Sequence, residues 1–222
     1  MTEPGTGDSF RDLTLRAFVE RLASAEPVPG GGSASAVAAS LGAALVGMVA
    51  SLSAGKPKYA DHASLYESTR AVGDRLAGRF LDLSDEDAVA YAGFAAALKL
   101  PRESDAEQAE RRAAMQAAAR RASEVPLETV EACLELVAAA ESLVGRSNPN
   151  AASDLDVAAL LGEAAARGAG ANVLINLPSV GDEAWAGEMT ARVMGLLDDV
   201  EELAGRVHEL VKTGDTRDPL PA

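Results

Sequence analysis

The amino-acid sequence predicts an all-α fold of about seven to nine helices in one domain, and three observations carry that prediction. Alanine accounts for 47 of the 222 residues and aromatic side chains for only 4%, which suits closely packed helices and suits strands poorly. Apolar residues recur every three or four positions along most of the chain, and that is the period of an α-helix. A chain of this length can also bury one large core without disulfides or a structural metal. We therefore expect a single domain over 1–222, with flexible tails at 1–8 and 213–222.

In the N-terminal half, turn residues divide the chain into four predicted helices. Apolar spacing predicts a first helix that ends before Pro27, followed by an uncharged central helix over about 33–53. A third helix follows the break at 55–57. Ser84 has the character of an N-cap, so we expect a separate fourth helix that begins there and stops at Pro101.

The C-terminal half carries longer apolar patterns. Ser104 and Glu107 have the spacing of a capping box and open a helix in which Pro126 must produce a break or a kink. After a polar turn at 145–150, helix is expected to resume and to include the apolar stretch 173–175. The last apolar stripe favours a helix that packs on another helix, within the chain or across a dimer. Its members are Trp185, Met189, Val193, Leu196, Val200, Leu203, Val207 and Leu210.

Charge and cysteine content argue against several classes of protein. The chain carries 20 Lys plus Arg against 34 Asp plus Glu, for a net charge of −14, whereas a nucleic-acid binder or a protein held on anionic lipid needs a basic face. Cys133 is the only cysteine and there are two histidines, so multi-cysteine and histidine-rich metal sites are excluded. The chain begins without the pattern of a secretory signal, and 27–55 fits a buried central helix better than a membrane span. These observations predict a cytoplasmic protein without nucleic-acid or membrane partners.

Two short segments could bind an anionic group. Pro29 and three glycines lead directly into the central helix at Ser33, so backbone N–H groups there could hold a carboxylate or a phosphate. The glycines could equally serve only to let two helices approach closely. Lys56 and Lys58 follow the uncharged helix and form a local exception in an acidic chain, although solvated lysines at a helix end are the simpler alternative.

Acidic and amide side chains supply the other candidates. The acidic run 85–87 follows Ser84 and suits a helix cap, but the apolar residues after it could bury one carboxyl group and raise its pKa. Asn172 and Asn176 lie four residues apart on one helical face of an apolar segment. They could bind the amide edge of a ligand or simply satisfy each other.

Seven motifs follow one another along the chain: Pro29-Gly30-Gly31-Gly32-Ser33, Gly55-Lys56-Pro57-Lys58-Tyr59, Asp85-Glu86-Asp87-Ala88 with Tyr91, Lys99-Leu100-Pro101, Val125-Pro126-Leu127, Asn148 with Ser153-Asp154, and Asn172-Val173-Leu174-Ile175-Asn176-Leu177. In this order they closely resemble the cyclodeaminase/cyclohydrolase family. That family comprises the cyclodeaminase domain of formiminotransferase-cyclodeaminase and stand-alone bacterial methenyltetrahydrofolate cyclohydrolases. The resemblance covers roughly residues 9–210 and implies an all-α fold, a homodimer and folate chemistry.

The resemblance also implies roles for individual residues. The second aspartate of the family's Asp-x-Asp-Ala motif falls on Asp87, which would be the catalytic carboxylate. The glycine loop and the basic pair become candidate folate contacts, with the two lysines suited to the glutamate carboxylates of the substrate. The substrate contacts expected on this basis are Gly30, Gly31, Gly32, Ser33, Lys56, Lys58, Asp85, Tyr91, Asn148, Asp154, Asn172 and Asn176.

The activity implied by the resemblance takes two forms. In a cyclohydrolase, water adds to the one-carbon bridge of cationic 5,10-methenyltetrahydrofolate, and the adduct opens to 10-formyltetrahydrofolate. In a cyclodeaminase, a formimino-folate closes to the same ring and releases ammonia. One carboxylate can shuttle the proton in either reaction, and neither reaction needs a metal or a redox cofactor. We expect a cyclohydrolase, because the sequence carries no formiminotransferase half. The alternatives are a cyclodeaminase, a related reaction on a non-folate substrate, and a non-catalytic helical dimer.

Overall fold

A computed structural model describes residues 9–220, and every long element in it is an α-helix. The prediction of an all-α fold is confirmed, since residues 9–220 contain no strand. Within this part of the chain six α-helices are joined by short loops and 3-10 turns, rather than the seven to nine helices expected. In chain order they are α1 (Leu15–Leu22), α2 (Gly31–Ser53), α3 (Ala63–Ala97), α4 (Asp105–Leu143), α5 (Ala152–Asn176) and α6 (Glu183–Thr213).

Helix α3 runs unbroken through Ser84, so the prediction that this residue caps a separate helix is wrong. Ser84 is fully buried, and its backbone carbonyl accepts a hydrogen bond of 3.1 Å from the hydroxyl of Ser33 in α2. The buried stripe that includes Phe80 and Leu83 continues to Ala90. Because packing along this stripe stabilises one continuous helix, the local preference of serine for a cap is not expressed.

Helix α4 begins at the predicted capping box, in which the Glu107 carboxylate accepts a hydrogen bond of 2.9 Å from the N–H of Ser104. The helix then continues through Pro126 as one element, so the expected break does not occur. Proline has no N–H and leaves the carbonyl four residues earlier without its helical donor. Here that carbonyl, of Ala122, accepts a hydrogen bond of 2.8 Å from the side-chain amide of Asn176 in α5.

Helix α2 lies at the centre of the bundle and packs against α3, α4 and α5. Its length and apolar composition would allow it to cross a membrane, a test that the core helices of soluble proteins also pass. In the structure its Val46 and Val49 are fully buried in the core. A Cβ at Gly73 of α3 would lie 2.8 Å from the backbone nitrogen of Gly47, so small residues set the spacing of these two helices. The helix is central, as expected, but only one face of it is buried, and Leu41 and Leu52 lie on the exposed face.

Helices α2 and α5 lie side by side in opposite directions, so the bundle has two ends. At one end the first turn of α2 lies beside Asn172, close to the C-terminus of α5. At the other end the hydroxyl of Ser53 accepts a hydrogen bond of 2.9 Å from the N–H of Asn148. The 23 residues of α2 separate these ends by about 35 Å. We call the first the glycine end (30–33, 87–94 and 172–176) and the second the lysine end (56–59, 145–154 and 210–218).

At the lysine end, the chain beyond α6 lies against the loop that joins α4 to α5. The N–H of Arg217 donates a hydrogen bond of 2.8 Å to the carbonyl of Gly145, and Nε of Arg146 donates one of 2.6 Å to the carbonyl of Asp218. These contacts involve part of the segment 213–222 that was expected to be flexible. Residues 1–8 and 221–222 lie outside the described residues, and the flexibility of both tails stays a prediction.

Candidate active site

A cavity of about 340 Å³ opens at the glycine end, between the start of α2, the middle of α3 and the last turns of α5. Its volume lies in the range of about 300–1,000 Å³ that is usual for small-molecule sites. Among the described residues that line it, Asp87 alone is charged. The predicted site residues that line this cavity are Gly30, Gly31, Gly32, Asp87, Tyr91, Asn172 and Asn176.

The glycine loop allows the carboxyl group of Asp87 to lie directly against the start of α2. Gly30 is the N-cap of α2 and offers no side-chain oxygen to the free N–H groups of the first turn. A Cβ at Gly32 would lie 2.6 Å from the carboxyl carbon of Asp87, so a larger residue does not fit there without movement. The glycines therefore serve close approach between α2 and α3, and the partial positive charge of the helix N-terminus favours the carboxylate form of Asp87.

The carboxyl group of Asp87 is partly buried and accepts a hydrogen bond from one side-chain hydroxyl. Its Oδ2 accepts a hydrogen bond of 2.9 Å from the hydroxyl of Ser33, which is itself fully buried. Burial raises the pKa of Asp87 above its ordinary value, while the hydroxyl and the backbone amide of Ser33 oppose the rise. A carboxyl group with a raised pKa that faces a cavity can accept and return a proton closer to neutrality than an exposed aspartate can.

The three consecutive acids have three different surroundings, because successive residues of a helix are rotated by about 100°. Oδ1 of Asp85 accepts a hydrogen bond of 2.7 Å from the N–H of Phe10, so Asp85 anchors the N-terminal segment and is not brought to the cavity. Glu86 forms an ion pair of 2.8 Å with Arg121 and thereby links α3 to α4. Of the three, only Asp87 lines the cavity.

Asn172 and Asn176 do not bond to each other, which was one of the two alternatives for this pair. Nδ2 of Asn172 donates a hydrogen bond of 3.1 Å to the carbonyl of Gly168 in its own helix. Nδ2 of Asn176 donates to the carbonyl of Ala122 across the interface of α4 and α5. Each side chain therefore uses its donor on the protein backbone and is half-buried at the wall of the cavity.

Apolar side chains that the sequence reasoning missed complete the walls. Phe94 lies seven residues after Asp87, on the same face of α3 as Tyr91, and Ile175 lies between the two asparagines in sequence. Tyr91 is 45% exposed and Ile175 is 75% exposed, although both are large and apolar. The helical spacing from Asp87 could have identified Phe94. These side chains give the cavity an apolar rim suited to a flat ring system.

Four of the predicted site residues lie at the lysine end. Lys58 and Asn148 line a separate cavity of about 300 Å³, Lys56 is exposed, and Asp154 lies in the first turn of α5. The length of α2 separates them from Asp87. Within one subunit, the structure does not bring these four residues and the carboxylate together.

Comparison with known proteins identifies the family. The family model described as formiminotransferase-cyclodeaminase matches residues 14–195. The chain belongs to this family. Its fold is that of a formiminotetrahydrofolate cyclodeaminase from Thermotoga maritima, with a TM-score of 0.83, 28% identity, and coverage of 91% of this chain and 98% of that one.

Two relatives within the formiminotransferase-cyclodeaminase family have informative names. A methenyltetrahydrofolate cyclohydrolase from Methylorubrum extorquens is 37% identical over 204 residues, which cover 90% of this chain and 96% of the relative. A formimidoyltransferase-cyclodeaminase from Rattus norvegicus is 34% identical, and the match covers 92% of this chain but only 38% of the rat protein. The resemblance drawn from the motifs is confirmed, and the named relatives are enzymes that act on carbon–nitrogen bonds of folates.

Proposed function

We propose that this protein is a methenyltetrahydrofolate cyclohydrolase, which converts 5,10-methenyltetrahydrofolate and water to 10-formyltetrahydrofolate. The observation that carries the proposal is the charge of the cavity. Among the described residues that line it, the only charged one is Asp87, a half-buried aspartate whose pKa is raised by burial. A carboxylate in such a place stabilises the cationic methenyl ring and can also move the protons of the reaction.

The chemistry assigns two tasks to Asp87. Water attacks the one-carbon bridge while the carboxylate accepts a proton from it, so that the cation becomes a neutral tetrahedral adduct. The bond from this carbon to N5 then breaks, the carboxyl group returns its proton to N5, and the hydroxyl of the adduct loses a proton as the formyl group forms on N10. The net reaction releases one proton. Ser33 holds the carboxylate in place through the hydrogen bond to Oδ2.

The full-length match to a cyclohydrolase favours this reaction. The match to a Thermotoga maritima cyclodeaminase keeps the release of ammonia as the second candidate. The same aspartate serves both reactions, because closure of a formimino-folate also needs one group to shuttle a proton.

One assay separates the candidates. We would follow the absorbance of methenyltetrahydrofolate with purified protein, starting once from 5,10-methenyltetrahydrofolate and once from 5-formiminotetrahydrofolate, each against an enzyme-free control. Faster loss in the first cuvette supports the cyclohydrolase, and faster gain in the second supports the cyclodeaminase. If both match their controls, the folate proposal fails, and a non-folate substrate or a non-catalytic role takes its place.

We also propose that the protein is a homodimer that uses the outer face of α2. Leu41, Met48 and Leu52 of this face are 54%, 39% and 43% exposed in a helix without a single charge, and Leu160 of the neighbouring α5 is 54% exposed. Such a stripe is costly to leave in water. We expect Leu41→Glu to shift the mass measured by light scattering from dimer to monomer, whereas Leu98→Glu, on an exposed site away from α2, should not. A monomeric parent protein would contradict the dimer.

In such a dimer the lysine end of one subunit can complete the glycine end of the other. A twofold axis perpendicular to α2 would place the two copies of this helix antiparallel, with opposite ends side by side. Lys56 and Lys58 would then bind the glutamate carboxylates of the folate. At a substrate concentration well below KM, we expect a mixture of Asp87→Asn subunits and Lys56→Ala/Lys58→Ala subunits to be more active than the sum of the two proteins assayed separately. Mixtures with no gain would contradict a shared site.

The reaction as written needs no metal and no redox cofactor, because its steps are the addition of water, proton transfers and cleavage of the bond to N5. We expect EDTA to leave the rate unchanged, and a loss of rate that zinc or magnesium restores would contradict this. Cytoplasmic location is proposed as well: the single cysteine, Cys133, is buried in the core, which suits a reducing compartment. Folate is the expected partner, rather than nucleic acid or membrane.

A further inference from the structure

Pro126 controls the orientation of a side chain in the neighbouring helix. In a regular helix the carbonyl of Ala122 would accept a hydrogen bond from the N–H four residues later, but that residue is proline and has none. This carbonyl is only partly buried, and a hydrogen bond from another protein donor satisfies it. Nδ2 of Asn176 supplies it at 2.8 Å. A proline inside α4 therefore fixes which end of the Asn176 amide faces the helix.

This orientation determines what the side-chain oxygen of Asn176 can bind. With Nδ2 used, Oδ1 of Asn176 accepts no hydrogen bond from the part of the chain that the structure describes, although the side chain lines the cavity. Asn172 has the same arrangement, since its Nδ2 is bonded to the Gly168 carbonyl. The carboxylate of Asp87 and these two amide oxygens are therefore available as acceptors in the cavity, beside the hydroxyl of Tyr91, which can donate or accept. The described residues that line it include no arginine or lysine.

A set of acceptors selects a ligand with N–H donors. We propose, on the basis of the folate function argued above, that Oδ1 of Asn176 and Oδ1 of Asn172 accept hydrogen bonds from the 2-amino and N3–H groups of the reduced pterin ring. These groups lie on the edge away from the N5–N10 bridge, so binding there leaves the bridge free to face Asp87. Pro126 does not touch the substrate; it is a positioning residue that acts through Asn176.

A Pro126→Ala variant distinguishes a positioning role of this proline from a purely structural one. Pro126→Ala restores an N–H that can bond to the Ala122 carbonyl, so helix α4 is retained while Asn176 loses its fixed partner. We expect KM for 5,10-methenyltetrahydrofolate to rise about tenfold, the effect of one hydrogen bond, with little change in kcat. Pro101→Ala, at an exposed loop proline, is the matched control and should leave KM unchanged. A folded Pro126→Ala protein with the KM of the parent would overturn the proposal.

A second pair of measurements tests the ligand edge directly, and it applies even if Pro126→Ala fails to fold. Asn176→Leu should weaken binding of the normal substrate about tenfold, yet should have little effect on an analogue in which hydrogen replaces the 2-amino group. Equal losses for both substrates would contradict the assignment of this edge. If the parent protein itself does not convert methenyltetrahydrofolate, the proposed function fails first, and the two failures are thereby distinguished.

Discussion

The glycine end and the lysine end of the bundle have opposite electrostatic surroundings. At the glycine end, the described lining of the cavity contains one charged side chain, Asp87, which lies against the N-terminus of α2. At the lysine end, Lys58, Arg146 and Arg217 line the cavity with one acid, Asp215, and Arg217 is paired with Glu141. The proposed function assigns the cationic reacting ring of the substrate to the first end and its anionic groups to the second.

The packing at the two ends of α2 explains why their electrostatic surroundings differ. The first turn of α2 is made of glycines and Ser33, so α3 can approach closely enough to bury a carboxyl group there. The chain after α2 turns outward through Gly55 in a left-handed conformation, with φ of 70°, and exposes both lysines. Burial therefore raises the pKa of the carboxyl group at the first end, whereas both lysines at the second end are open to solvent.

The largest expected effect comes from removing the acid of the glycine end. Asp87→Asn should lower kcat/KM at least 100-fold, because a positioned general acid and base contributes about 10²–10⁴-fold. The protein should remain folded, since an amide can still accept the hydrogen bond from Ser33. Circular dichroism and the activity assay check both points. Asp82→Asn, on an exposed part of the same helix, is the control, and an active Asp87→Asn protein would end the catalytic assignment.

A smaller effect is expected from crowding the same carboxyl group. Gly32→Ala places a Cβ 2.6 Å from the carboxyl carbon of Asp87, so either the carboxylate or the helix must move. A displacement of about 1 Å at a reacting group can cost as much as 100-fold in rate, and we expect at least a tenfold loss of kcat/KM. Gly78→Ala in α3 meets no atom within 4 Å. That variant should keep full activity and gain about 0.5–1 kcal/mol of stability in urea unfolding.

The lysine end should affect binding rather than chemistry. We expect Lys56→Ala/Lys58→Ala to raise KM about three- to tenfold for a substrate with its glutamate chain, with kcat unchanged. Salt should reduce the difference between the variant and the parent, because exposed charges are screened. Arg206→Ala, at an exposed cation of α6 outside the lysine end, is the control. A fall in kcat with KM unchanged would contradict the division between the two ends.

The smallest expected effect is the pH dependence of stability. Burial raises the folded-state pKa of Asp87 above its unfolded value, so the protonated form is favoured by folding. This contribution is fully present below the unfolded pKa and is lost as pH rises through the raised folded pKa. We therefore expect the free energy of unfolding of the parent protein, relative to that of Asp87→Asn, to decrease over that interval. The apparent pKa of the acidic limb of the kcat/KM profile should likewise lie above the range of an ordinary aspartate. Urea midpoints that keep a constant difference across this interval would contradict the raised pKa.

The sequence predicted the helices better than their boundaries. Alanine content and apolar period identified the all-α class, and the capping box at Ser104 marked the start of α4 correctly. Ser84 was interpreted from local preference as the start of a helix, and Pro126 as the site of a break or a kink. Ser84 lies inside a continuous helix, and α4 is not broken at Pro126. Each preference was overruled by a contact distant in sequence: burial of Ser84 against α2, and the amide of Asn176 at the Ala122 carbonyl.

The sequence alone determined the fold class and, through the order of its motifs, the family and the expectation that Asp87 is the acid of the site. The fold class follows from composition and periodicity, whereas the family and the role expected for Asp87 are what the resemblance of the motifs implies. The tertiary structure decided which predicted residues share a cavity, since only packing of α2 against α3 and α5 places Gly32, Asp87 and Asn176 together while Lys56 lies a helix length away. The raised pKa of Asp87 belongs to the structure for the same reason, because desolvation is a property of neighbours brought together by folding.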